Sequence, residues 1–216
     1  MRYTRESGKA APLIIGLVAF LAALAGLWVG SKLQSDPEPP QLANGMILAP
    51  PKPLQPFALV DHNGEVYDLA RMQGHWTFMF FGYTHCPDVC PDTMSVLNLS
   101  LSQLKDQPQA AQDARVVFVS VDPKRDTAQQ LAAYVPYFNE RFLGVTGEPG
   151  ALEDLTRQLG ILYVVNDDGP EYTVDHSASI LLMDPAGRMA AVFSGYPHDP
   201  REIAANYLKV RQHYQE

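Results

Sequence analysis

The run Trp76-Thr77-Phe78-Met79-Phe80-Phe81-Gly82-Tyr83 carries no charge and leads directly into Thr84-His85-Cys86-Pro87-Asp88-Val89-Cys90-Pro91. A nearly continuous apolar run of this length predicts a strand covered on both faces, as in a parallel or mixed sheet with helices packed on it. Residues 116–121 repeat the pattern. Between the two runs Met94, Leu97, Leu101 and Leu104 recur at helical spacing and predict one amphipathic helix. Pro91 suits the first residue of that helix, which places Cys90 at its N-cap. The positive end of the helix dipole and its free backbone N–H groups then face the cysteine sulfurs.

Outward from this unit, residues 57–60 and 66–69 flank Asp61-His62-Asn63-Gly64, whose Asn-Gly pair suits a hairpin turn. Leu131, Tyr134, Val135 and Phe138 predict a second helix, and Leu152, Leu155 and Leu159 a third. Residues 179–183 and 189–193 predict another hairpin through Asp184-Pro185-Ala186-Gly187-Arg188, and Ile203, Tyr207, Val210 and Tyr214 mark a closing helix. Strand, helix, strand, then helix, hairpin and helix is an α/β order of the thioredoxin-like kind: a mixed sheet flanked by helices, preceded by an N-terminal β-hairpin.

A chain of 216 residues accommodates one membrane segment and one globular domain, and 46% hydrophobic with 19% charged residues excludes disorder throughout. Between Lys9 and Lys32 lie 22 residues without a charge, enough for the about 20 that cross a bilayer as a helix. A cleavable signal peptide ending near Ala23-Leu24-Ala25 is the rival reading. Apolar character continues through Leu27, Trp28 and Val29, which favours an uncleaved anchor. Arg2, Arg5 and Lys9 then stay cytoplasmic, and everything after Lys32 lies on the other side, the periplasm of a bacterium. Residues 37–56 hold seven of the 18 prolines and predict an extended polyproline spacer. The expected division is therefore a cytoplasmic N-terminus and anchor at 1–32, a linker at 33–56 and a globular domain at 57–216. With Arg2, Arg5, Glu6, Lys9 and Lys32 set aside, 12 basic residues face 23 acidic ones, a net charge of −11 that excludes nucleic acid as a partner.

The only two cysteines are Cys86 and Cys90. Three readings of the pair compete. A permanent disulfide closes too short a loop to add much stability. A thiol–disulfide oxidoreductase is opposed by the C-x₃-C spacing, which is not C-x-x-C, and by the lack of a proline before the late strand. A metal site is the third. Two thiolates supply half of a structural zinc site, whereas two thiolates and one imidazole suit three-coordinate Cu(I) and, with a further ligand, Cu(II). Of the six histidines, His62, His75, His198 and His213 lie on turns, loops or termini. His85 adjoins Cys86 but points away if the chain is still extended there. His176, in Val174-Asp175-His176-Ser177-Ala178, stands at the start of a strand that would reach the cysteine loop. The spacing leaves the third ligand open among these.

Three ordered motifs resemble the Sco/SenC family of copper-binding assembly factors for cytochrome oxidase. They are residues 80–91, then Ser120-Val121-Asp122-Pro123-Lys124-Arg125-Asp126-Thr127, then Tyr172-Thr173-Val174-Asp175-His176. The resemblance implies metal binding by Cys86, Cys90 and His176, one copper ion per chain as Cu(I) or Cu(II), and a thioredoxin fold. It further implies a metallochaperone whose partner is cytochrome c oxidase subunit II or another copper-receiving protein, with a thioredoxin-like reductant and a periplasmic copper donor alongside. The alternatives it leaves are a reductase for the thiols of the dinuclear copper centre and a redox or copper sensor. Asp126, ahead of an amphipathic run, reads as an N-cap, and Asp175 as an outer acceptor for the site or a strand terminus.

Overall fold

The structure, a computed structural model, describes residues 10–33, 38–166 and 172–215. The chain divides into two compact units, Met1–Glu38 and Pro39–Glu216. The first contains helix α1 (Ala10–Leu33), formed over the uncharged segment. Among the described residues no helix is long and apolar enough to cross a membrane. Arg2, Arg5 and Lys9 lie outside the described residues.

The second unit begins with β1 (Met46–Lys52), followed by the hairpin β2 (Ala58–Asp61) and β3 (Val66–Asp68) and the single turn α2 (Leu69–Met72). The buried run forms β4 (Trp76–Gly82), and α3 (Val89–Ser102) with the short α4 (Pro108–Asp113) connects it to β5 (Ala114–Ser120). Then come α5 (Ala128–Tyr134), extended by a 3-10 turn, β6 (Leu143–Thr146) and α6 (Pro149–Leu159). A small hairpin, β7 (Tyr163–Asn166) and β8 (Thr173–His176), precedes β9 (Ile180–Met183), β10 (Met189–Phe193) and α7 (Pro200–Gln215).

Eight strands form one sheet in the order β1-β10-β9-β4-β5-β6-β2-β3. The pairs β4–β5 and β5–β6 are parallel and β9 runs antiparallel to β4, so the sheet is mixed, as its sequence predicts. All seven residues of β4 are buried. The pleat sends alternate side chains to opposite faces. Phe78 and Phe80 join Met94 and Leu97 of α3 and Ile203, Tyr207 and Val210 of α7. Met79 and Phe81 join Leu152, Leu155 and Leu159 of α6 and Met72 of α2. Both faces are thus covered by helices, which is why no polar alternation appears in the run.

Three local expectations are corrected. Residues 46–52, expected within a polyproline spacer, instead pair with β10 as an edge strand, with a register shift between Ile47 and Lys52 that spans Pro50 and Pro51. Proline is tolerated at such an edge because the missing N–H costs no interior ladder bond. Lys52 Nζ donates to the Gln158 carbonyl at 2.6 Å, and the Gln55 N–H to Gln158 Oε1 at 2.8 Å. Helix α3 starts at Val89, with Asp88 at its N-cap, so Cys90 sits inside the first turn and Pro91 follows it. The first turn has no intrahelical use for its N–H groups, so Pro91 fits at its third residue as well as at the first. Finally, β7 and β8 form a separate two-stranded sheet, and His176 ends β8 instead of opening a strand of the main sheet.

Phe78 is 1% exposed and stacks edge-on against Tyr207, with ring centroids 5.1 Å apart. Phe78→Ala is expected to cost about 3–5 kcal/mol by cavity formation, while Tyr137→Ala, at an 85% exposed position, stays within about 0.5 kcal/mol. Urea unfolding of the two variants against the parent checks the contrast.

Candidate metal centre

The C-terminal end of β4 places the cysteine loop. The crossover between parallel strands β4 and β5 begins there, so the N-terminus of α3 opens beside Gly82. A Cβ on Gly82 would lie 2.5 Å from Cys90 Sγ and 3.0 Å from the Phe118 ring. Only glycine leaves the sulfur its place.

The loop is held by Asp126, which is fully buried. Its carboxylate accepts from the Thr84 N–H at 2.8 Å, from Thr84 Oγ1 at 2.6 Å and from Ser120 Oγ at 2.5 Å. It is not the N-cap of α5. That role belongs to Thr127, whose side chain accepts from the Gln130 N–H at 3.2 Å. Asp126 instead ties the ends of β4 and β5 together.

Cys86 Sγ, Cys90 Sγ and a ring nitrogen of His176 all lie within 4.8 Å of one another. Cys90 is buried, and Cys86 and His176 are half-buried. The two cysteines are unlinked. His176 Nε2 stands 3.2 Å from Cys90 Sγ, while Nδ1 is 3.1 Å from the Ser177 carbonyl. A carbonyl only accepts, so Nδ1 carries the proton and Nε2 turns its lone pair to the sulfurs. The rings of Phe80 and Tyr83 meet the imidazole edge-on at centroid distances of 6.0 and 5.9 Å and fix its plane.

The pair of thiols is electrostatically unequal. The Cys90 thiol donating to its sulfur, together with the backbone N–H groups of Asp88 and Cys90, holds the Cys86 pKa down to about 4, against the opposing effect of burial. The Cys90 N–H, left free by the first helical turn, lies 3.4 Å from Cys86 Sγ. The Cys90 thiol's own hydrogen bond to Cys86 Sγ, and burial, push that thiol well up. Cys86 is therefore the nucleophile and first donor, and Cys90 the protonated partner. Two soft sulfurs and one imidazole nitrogen make a donor set for a soft or borderline metal ion.

A family model described as SCO1/SenC matches residues 48–212. The chain belongs to the SCO1/SenC family. It is 32% identical over 203 residues to the mitochondrial protein SCO2 homolog of Bos taurus, covering 93% of this chain and 74% of that one. It is similar to the crystal structure of Arabidopsis thaliana ScoI with copper bound, at 33% identity and a TM-score of 0.68, covering 73% of this chain and 98% of the other. A likeness to BsSco, described as a member of the Sco family of cytochrome c oxidase assembly proteins, has 21% identity and a TM-score of 0.58 over 80% of this chain and 96% of that one, and shows the shared thioredoxin-like fold alone.

Of the remaining histidines in this SCO1/SenC chain, His62 accepts from the Gly144 N–H at 3.1 Å and His198 Nε2 meets the Ala178 carbonyl at 2.8 Å. His85 stays near the loop surface, its Nδ1 3.1 Å from Thr84 Oγ1. Asp175 accepts from Asn166 Nδ2 at 2.9 Å and braces the β7–β8 hairpin. What the residue pattern did not reveal is the tether of that hairpin. Arg125 Nε donates to Asp122 at 2.5 Å and Nη1 to the Tyr172 carbonyl at 2.9 Å. Its guanidinium lies 3.6 Å from the Tyr172 ring centroid, and Tyr172 Oη donates to Asp122 at 2.6 Å. The signal was the Asp122, Arg125 and Tyr172 of two motifs, but their meeting is a tertiary fact.

Two outcomes follow from this geometry. In the reduced, metal-free protein, iodoacetamide labelling of Cys86 should change little from about pH 6 to 9, because its thiolate is already formed above about pH 4. Cys90 should stay unlabelled. A Cys86 rate that climbs about ten-fold per unit from about pH 6 to 8, as for an ordinary thiol of pKa about 8.5, contradicts the assignment. Arg125→Ala should leave exchange protection at Val117 intact while amides of Val165 and Val174 lose about ten-fold or more by native-state hydrogen exchange, corresponding to about 1.4 kcal/mol or more of tethering.

Proposed function

We propose that this chain is a membrane-anchored copper carrier that binds one copper ion through Cys86, Cys90 and His176 and helps assemble the dinuclear copper centre of cytochrome c oxidase subunit II. The observation that carries the reading is the convergence of two sulfurs and one imidazole nitrogen within 4.8 Å. Such a set matches Cu(I), and with a further ligand Cu(II), better than structural zinc, which takes four ligands. Loading displaces the Cys90 proton, because thiolates bind the metal. Oriented Nε2 and an already ionised Cys86 lower the reorganisation that capture requires.

Anchoring through residues 10–31, with the domain in the periplasm of a bacterium, is the accompanying reading. It is supported by α1, whose side chains from 14 to 30 are all exposed and mostly apolar. A surface of that kind is ordinarily covered by lipid or protein. Partition of the full chain with membranes after carbonate extraction is the expected result.

A specific observation also favours a second reading, thiol reduction of the client. A low-pKa Cys86 backed by protonated Cys90 is an attacking thiolate with a resolving thiol, and it needs no histidine. His176→Ala separates the two. As a carrier, the variant should keep both thiols, lose copper affinity by about 100-fold or more, most severely for Cu(II), and fail to restore oxidase activity at normal abundance. Full oxidase activity with copper loading confirmed absent would overturn the carrier reading in favour of the reductase.

A further inference from the structure

At the end of the sheet where β4 and β5 begin lies a cavity of about 290 Å³ whose lining includes Arg71, Arg115, Arg141 and His75. Thr77, also in its lining, precedes Gly82 by five residues along β4, so about 17 Å of strand separates the cavity from the cysteine loop. Three arginines in one recess stand out in a chain with a net charge of −8. Their bonding is unequal. Arg71 is already neutralised by the buried Asp61 at 2.7 Å. Arg115 and Arg141 have no carboxylate within 4.0 Å among the described residues.

Both unpaired guanidiniums are nonetheless held in place. Arg115 Nη1 donates to the carbonyls of Gln112 at 2.6 Å and Ala114 at 2.9 Å, and Arg141 Nη2 to the Ala111 carbonyl at 3.3 Å. Each keeps further N–H donors. Tyr67, Val117 and Leu143 supply apolar wall. Guanidinium forks match the oxygens of phosphate geometrically.

We propose that this cavity binds a small phosphate-bearing anion, with Arg115 and Arg141 clasping the phosphate and the apolar wall receiving the organic part. Two guanidinium forks match the charge and the tetrahedrally spread free oxygens of a phosphate ester better than a single planar carboxylate. The volume, near the lower bound of small-molecule pockets, exceeds the need of bare phosphate and fits a short ester. A free phosphate ester and the headgroup of an anionic phospholipid carry the same chemistry.

The test follows the arginine Nε–Hε signals of the full chain in neutral detergent by nitrogen-15 NMR. Glycerol 3-phosphate should move the Arg115 and Arg141 signals saturably, inorganic phosphate more weakly, and chloride at equal ionic strength not at all. The double variant R115Q/R141Q, compared with the parent through the backbone amide signals of Thr77 and Val117 in the cavity lining, should weaken glycerol 3-phosphate binding at least about ten-fold with the α3 and α6 amide signals unchanged. In nanodiscs, the same shift in phosphatidylglycerol but not phosphatidylcholine, without added phosphate, identifies the lipid headgroup as source. A shift that needs added glycerol 3-phosphate in both identifies the free ester. No saturable movement with any of these probes, or undiminished binding in the double variant, overturns the proposal.

Discussion

Strand β4 is buried along all seven of its residues, and its pairing with β5 in parallel obliges the chain to leave the sheet at Gly82 and return by a helix. That helix begins where the strand ends, so a first turn rich in free N–H groups is set beside the loop that holds both cysteines. Crevices outside the carboxyl ends of parallel strands are where α/β sheets present ligands. Here the crevice is narrow enough that a methyl group on Gly82 would strike Cys90 Sγ. Asp126, buried and tied to Thr84 and Ser120, keeps the two strand ends from parting.

From that frame the chemistry of the thiols follows. Cys86, nearer the solvent and facing a free N–H, is the sulfur on which negative charge is stabilised. Cys90, buried against Gly82 and Phe118, keeps its proton until something replaces it. A metal ion and a client disulfide both begin at the same thiolate. What distinguishes them is His176, 86 residues away in sequence and brought to 3.2 Å of Cys90 Sγ.

His176 belongs to a two-stranded hairpin outside the main sheet, so its position depends on side chains more than on ladder bonds. Arg125 provides the link, bridging Asp122 at the end of β5 to the backbone and ring of Tyr172. The arrangement couples the third ligand to the strand end that also carries Asp126. Rigid sulfurs on the core and an imidazole on an arm tethered through Asp122, Arg125 and Tyr172 form the site.

Much of this was legible from local pattern. Buried runs, helical spacing of Met94, Leu97, Leu101 and Leu104, and the Asn-Gly turn are encoded within a few residues, because periodicity and turn chemistry are local. The motif Cys86-Pro87-Asp88-Val89-Cys90 announced a sulfur site for the same reason. Other features depend on partners distant in the chain. The proline-bearing segment 46–52 became a strand only because β10 offered an open edge. Asp126 had the look of a helix cap until Thr84 and Ser120 arrived to bury it. His176 could be chosen among six histidines only through family resemblance, since nothing local records that β8 folds back onto the end of β4. Residues near in sequence disclose their geometry through backbone preference. Long-range convergence is selected by packing, hydrogen bonding and charge, and these act only once the chain has closed.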